Sequence, residues 1–199
     1  MSNAEDKRNR ILESAIDLAE QGGFEAVRLR DLAEHADVAL GTLYKRFRSK
    51  EEILLAALDL EAQKMEKRFA ARPVEGDTVF DRTANLFDAL TRTLLRRPNL
   101  ARAVLRALTS GDDHITQSVA GFHDRITSMI IGAMRGQMLG PGDEPRVTEQ
   151  MVAFILQQVW FAALVGWMGG LFPKTMVTDQ VRIALELLLR GVDLEKDHL

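Results

Sequence analysis

Lys45, Arg46, Arg48 and Lys50 place four cations in a six-residue stretch, and no acidic residue occurs between Val38 and Lys50. Such a cluster suits phosphate oxygens, which accept hydrogen bonds from ammonium and guanidinium groups and from a phenol such as Tyr44. Just before it, Leu40, Gly41 and Thr42 are slim enough to approach base edges, where sequence is read. Charges alone fit an incidental solvated helix face equally well. The elements around the cluster decide between the two readings.

Those elements occupy Val27 to Glu52. Leu29, Leu32 and Ala33 share one helical face, and Val38 with Leu43 supplies the facing one. Asp37 falls where the chain must bend, and Asp enters the left-handed region more readily than most residues bearing a side chain. The spacing predicts a helix-turn-helix whose second helix, roughly Ala39 to Phe47, enters a DNA major groove. Ser49 and Glu52 form an S-x-x-E capping box, so a further helix should start beside Lys50 with its N-terminus open to a phosphate. The candidate DNA-binding residues are Arg28, Leu40, Gly41, Thr42, Tyr44, Lys45, Arg46 and Lys50. Thr42 and Lys45 are expected at base edges, Tyr44 and Lys50 on the backbone.

The stretch LRDLAEHADVALGTLYKRFRSKEEIL resembles the N-terminal domain of the TetR family, the tetracycline-repressor-like bacterial transcription regulators. The likeness runs over roughly Lys7 to Leu58 and includes A-x-V-x-x-G-T-L-Y-x-x-F at Ala36 to Phe47 and the run Ser49 to Glu51. It implies an all-α homodimer of about nine helices per chain. A three-helix helix-turn-helix DNA-binding domain would occupy residues 1–50, and a helical ligand-binding and dimerisation domain residues 51–199. Three positions depart from the pattern. Arg28 stands where a capping Thr is frequent, Asp37 where Gly is common, and Arg46 where an aromatic residue or His is frequent.

Composition sets outer bounds. With 46% hydrophobic and 28% charged residues the chain can bury a core, which argues against disorder. Residues 1–50 are neutral in formal charge, so the net −3 falls on the remainder, and DNA affinity must rest on a local patch. The absence of cysteine excludes disulfides, thiolate ligands and Cys nucleophiles, and suits a reducing cytoplasm. No GxSxG, HExxH or phosphate-binding loop is present, so neither enzyme chemistry nor a cofactor is expected. Asp112-Asp113-His114, with His123 further on, reads as helix capping rather than a metal site. The chain opens on polar residues, without a secretory signal.

Apolar spacing predicts a first helix over about 5–21, ended by Gly22-Gly23, and a long one from Lys50 stopped at Arg72-Pro73. Asp77 or Thr78 should cap the next, and Pro98-Asn99 should start a shorter one ended by Gly111. Another is expected from Ile115 to Leu139, before a loop over residues 140–145. Residues 151–172 carry no charge and reach transmembrane length, but Gln157 and Gln158 at the centre favour a helix buried in protein. The last helix should begin near Thr178-Asp179.

Two apolar C-terminal helices from each of two copies would make a four-helix seam, with Val159, Ala163, Trp167, Val181, Leu185 and Leu188 as its candidates. Phe87, Leu90, Phe122, Met129, Phe154, Gln157, Trp160 and Phe161 are candidates for an effector pocket. GGFEAVRLRDLAEHADVALGTLYKRFRSK and RRPNLARAVLRALTSGDD also resemble the KstR-type sterol-catabolism repressors within the family. That likeness implies a steroid or acyl-CoA-like effector. The expectation is a cytoplasmic, dimeric repressor released from a near-palindromic operator by an apolar or amphipathic molecule, without membrane insertion. Its rival is a small-molecule-binding protein or enzyme carrying an incidental helix-turn-helix.

Overall fold

The computed structural model describes residues 3–110, 115–140 and 142–194. Among the described residues lie nine helices and no strand: α1 (Asn3–Ala26), α2 (Leu29–His35), α3 (Leu40–Arg46), α4 (Lys50–Ala71), α5 (Val79–Leu95), α6 (Pro98–Leu108), α7 (Thr116–Arg135), α8 (Val147–Met168) and α9 (Thr175–Leu194). The expected stop at Gly111 and cap at Asp112 or Asp113 fall outside the described residues. The helices sort into two compact units, Met1–Gln63 with Leu94–Phe122, and Lys64–Thr93 with His123–Leu199.

The first unit is built on α1. Ile11, Leu12, Ala15, Ile16 and Ala19 line its inner face and meet Leu32, Leu43, Phe47, Ile53 and Leu54 in one core. α6 joins that core through Leu100, Ala103, Val104 and Ala107, although it follows the other members by some forty residues of chain. Alanines on both helices let them pack closely. Three acidic residues of α1 then face α6. The Glu20 carboxylate accepts the Leu100 N–H at 3.1 Å, capping α6 where its own N-cap, Arg97, makes no side-chain capping bond. Asp17 lies 4.0 Å from Arg97, and Glu25 lies 2.8 Å from Arg106.

In the second unit α8 packs on α9, and Phe87 of α5 meets the Trp160 ring edge-on at 5.8 Å between centroids. The Trp160 indole N–H donates to Thr91 Oγ1 at 2.9 Å, so the ring is buried without an unmet donor. Gly166 has no Cβ because the Phe172 ring folds back onto that place. α7 stops at Arg135, short of the expected Leu139. There Arg82 donates to the Ala133 and Met134 carbonyls at 3.0 and 2.9 Å, and Gly136 turns the chain at φ 77°. The apolar period had continued through Met138 and Leu139 past that turn. α9 starts a turn earlier than expected, just beyond Pro173.

At the start of α5, Thr78 is the cap: its Oγ1 accepts the Asp81 N–H at 3.0 Å, and Asp81 takes the Thr78 N–H at 3.2 Å. α8 is long and apolar enough to cross a membrane by length and composition, yet Val152, Ala153, Leu156, Trp160, Ala163 and Leu164 are buried within the chain. Glu149 in its first turn accepts from Arg135 Nε and Nη2 at 2.9 and 2.7 Å and from the Arg146 N–H at 2.8 Å. Chiefly the hydrogen bonds from Arg135 hold its carboxyl below the usual range. A carboxyl whose pKa is lowered on folding contributes fully above its unfolded value and loses that contribution as pH falls through the folded one. Glu149→Gln should therefore lower the thermal midpoint at pH 7, and the gap to the parent should close on acidification through the carboxylate range. Calorimetry at stepped pH measures both.

Candidate nucleic-acid interface

α2 ends in a Schellman turn. The Val38 N–H reaches the Ala33 carbonyl at 2.9 Å, the Asp37 N–H reaches Glu34 at 3.1 Å, and Asp37 adopts φ 51°. This bend is the one expected at Asp37, and it sends the chain directly into α3. The rotation of α3 is then set by what it buries. Leu43 and Phe47 lie in the core, and Leu40 packs half-buried against it. With 3.6 residues per turn, Gly41, Thr42 and Lys45 fall on the opposite side, flanked by Tyr44 and Arg46. Gly41, Lys45 and Arg46 are exposed, Tyr44 is 57% exposed, and Thr42 is half-buried. Leu40 is thus in part a core neighbour. Arg28 is the exposed N-cap of α2 and makes no side-chain capping bond, as the lost Thr would imply.

Lys50 opens α4 beside this face. Ser49 caps that helix by accepting the Glu52 N–H at 3.2 Å, but the Glu52 carboxylate takes the Arg48 N–H at 2.7 Å instead of closing on Ser49. The expected reciprocal box is therefore shifted by one residue. The Lys50 ammonium is already engaged. It lies 3.4 Å from the Phe24 carbonyl, 3.4 Å from Glu25 Oε2 and 3.8 Å over the Phe24 ring. Arg106 of α6 stacks 4.4 Å over the same ring and holds the other Glu25 oxygen. Lys50 first, and then Arg106, hold the Glu25 carboxyl below its ordinary range, so it is ionised at neutral pH.

The candidates on the later helices fall differently. Phe87, Leu90, Met129, Gln157 and Trp160 are buried. Gln157 has both ends of its amide occupied, with Oε1 3.0 Å from His123 Nδ1 and Nε2 donating to Thr127 at 2.6 Å. Phe161 and Phe122 are half-buried, Phe122 within the first unit. Phe154 is 60% exposed. A cleft of about 240 Å³, open to solvent, is lined by Phe69, Val74, Met129, Gly132 and Met138, and of the expected set it includes only Met129. Ala163, Val181 and Leu185, expected at a seam between copies, are fully buried inside the chain; Val159, Trp167 and Leu188 are half-buried. Exposed apolar side chains include Val147, Met151, Phe154 and Ile155 on α8, and Met176, Ile183 and Leu187 on α9. Among the described residues no three His, Asp or Glu side chains gather as metal ligands would.

Residues 11–57 match the family of bacterial regulatory proteins, tetR family, and residues 76–188 match the tetracyclin repressor-like C-terminal domain. The chain belongs to the TetR family. It is 32% identical over 188 residues to the HTH-type transcriptional repressor KstR of Mycobacterium tuberculosis, covering 94% of this chain and 83% of that protein. A TetR transcriptional regulator from Rhodococcus sp. RHA1 superposes with TM-score 0.82 at 24% identity, covering 94% and 98% of the two chains. Thermus thermophilus FadR, a TetR-family repressor solved in complex with lauroyl-CoA, shares the fold at TM-score 0.66 and 19% identity, over 92% and 94%.

Within this TetR-family chain, Glu25 and Arg106 were not legible as neighbours of Lys50, because nothing local links α6 to the end of α1. Gly41 carries a different kind of signal. A Cβ built there meets nothing within 4 Å, so no contact inside the chain requires glycine. Glycine in a helix costs up to about 1 kcal/mol relative to alanine. Gly41→Ala should therefore raise the thermal midpoint while weakening DNA binding, a pairing of opposite signs that melting and fluorescence-anisotropy titration would read together.

Proposed function

We propose that this chain is a cytoplasmic, dimeric repressor that binds a near-palindromic operator and leaves it when a small apolar or amphipathic molecule binds. The division of labour follows the chain, with residues 1–50 reading DNA and residues 51–199 supplying effector binding and dimerisation. Its main support is the outward side of α3, where Gly41, Thr42 and Lys45 stand between Tyr44 and Arg46 on a face backed by the Leu43–Phe47 core. Thr42 and Lys45 are assigned to base edges; Tyr44, Lys50, Arg28 and Arg46 to the backbone. No enzymatic step, metal or cofactor enters this reading.

One reading domain spans only a few base pairs, so two must act together on half-sites about one helical turn, or a multiple of it, apart. The second copy is assigned to the exposed stripe of Met151, Phe154, Ile155, Ile183 and Leu187, because apolar side chains at this spacing on adjoining helices call for cover. For the effector, a steroid or acyl-CoA-like molecule suits the apolar helices α5, α7 and α8. The solvent-open cleft at Met129 is too shallow to enclose such a molecule, and Phe87 and Trp160 pack against each other in the core. Effector binding then has to select a conformation in which these side chains part, and differential affinity for that state releases the DNA.

Selection from a random DNA pool by the purified protein tests the reading: a twofold-related motif is expected, and random sequence throughout would refute it. On the selected operator, Thr42→Ala should alter preference at one position in each half-site, at about 1–3 kcal/mol if a direct contact is lost. Equal weakening on random DNA would place Thr42 on the backbone instead. Leu187→Asp should give a monomer in sedimentation with a melting midpoint close to the parent's, because Leu187 is 63% exposed. That monomer should lose operator affinity with its reading helix unchanged.

A further inference from the structure

The assignment of Lys50 to a DNA phosphate leaves its internal partners without a role. An ammonium has three N–H donors, and here it faces the carbonyl and ring of Phe24 and the carboxylate of Glu25. The carboxylate is the telling one. It presents to Lys50 the same charge and acceptor chemistry that a phosphate would bring. It is shared, too: one oxygen lies 3.4 Å from Lys50 and the other 2.8 Å from Arg106. The two cations also sit over one ring, at 3.8 and 4.4 Å from its centre. Lys50 belongs to the DNA-facing end of α4 and Arg106 to α6, so Glu25 divides its charge between the reading surface and a helix behind it.

We propose that Glu25 is an intramolecular competitor for the phosphate at Lys50, and that Arg106 is the positioning residue that sets how strongly it competes. This inference rests on Lys50 being a phosphate contact. With Arg106 on the carboxylate, Glu25 is largely neutralised and Lys50 can exchange it for a phosphate. Without Arg106, Glu25 keeps its full charge for Lys50, and DNA must displace it. Any shift of α6 along α1 therefore changes the charge that Lys50 meets, with no movement of α3. The pair is solvent-exposed at Glu25, which limits the size of the effect. Exposed ion pairs contribute little, so the expected change in affinity is no more than about fivefold per reading domain.

The test is a set of operator titrations at several salt concentrations, with thermal melts confirming that each variant is folded. Lys50→Met alone tests the underlying assignment: weaker binding with a salt slope shallower by about one unit per contact supports it, and unchanged binding refutes it. Glu25→Gln should tighten binding about two- to fivefold on operator and random DNA alike, and should do nothing in a Lys50→Met background. Arg106→Met, which keeps the aliphatic stem over Phe24, should weaken binding in the parent but not in Glu25→Gln, while Arg106→Lys should retain most of the affinity. Two results overturn the proposal with Lys50 still a phosphate contact. One is a Glu25→Gln gain that persists without Lys50. The other is an Arg106→Met loss that persists without the Glu25 charge, which would make Arg106 a direct DNA contact.

Discussion

Burial of Leu43 and Phe47 is the constraint on which the reading surface depends. A two-turn helix such as α3 has little stability of its own, since nucleation costs more than its few hydrogen bonds return. Its shape and rotation are borrowed from the core beneath. With those two side chains held against Ile11, Leu12, Ile16 and Leu54, the polar and slim residues have only one direction left to face. The Asp37 turn has a matching role at the other end: it fixes where α3 begins relative to α2, so the buried positions fall in register.

α1 serves both neighbours of that core. Its apolar face supports α2, α3 and α4 on one side and α6 on the other, while Asp17, Glu20 and Glu25 address α6 in succession. Charge and packing thus act along the same seam. The cations of α6 do not need to be buried for this to matter. Glu20 satisfies a backbone N–H that would otherwise have no protein partner, and such a bond is worth more than an exposed ion pair.

The parts legible from sequence are those governed by local rules. The bend at Asp37, the glycine break in α1, the Ser49 cap and the outward place of Gly41, Thr42 and Lys45 all follow from residues within a few positions of one another. The boundaries missed at Leu139 and Thr178 reflect apolar period outrunning a turn in one case and an attractive cap displaced by Pro173 in the other. α8 defeats periodic reading for a physical reason. It is apolar nearly all round, so no polar stripe reveals which side turns inward, and of two rings expected together Trp160 is buried and Phe154 exposed. Nor did the pattern of α9 show that Val181 and Leu185 are buried within their own chain. The α1–α6 seam had no local signature, because its partners lie far apart in the chain, 79 residues in the hydrogen bond from Asn99 to the Glu20 carbonyl and 80 in that from Leu100 to the Glu20 carboxylate.

That distance bears on modularity. Residues 1–63 form a continuous run, yet their core is completed by Leu100, Ala103, Val104 and Ala107 from beyond it. A fragment cut after α4 would leave α1 without its α6 partner and the Glu20 carboxylate with no helix to cap. The compact unit that carries the reading helix is therefore discontinuous in sequence. Exchanging heads between regulators of this architecture means transplanting two segments together, and a single crossover after the third helix would join α1 to an α6 whose alanines and arginines were chosen for a different partner.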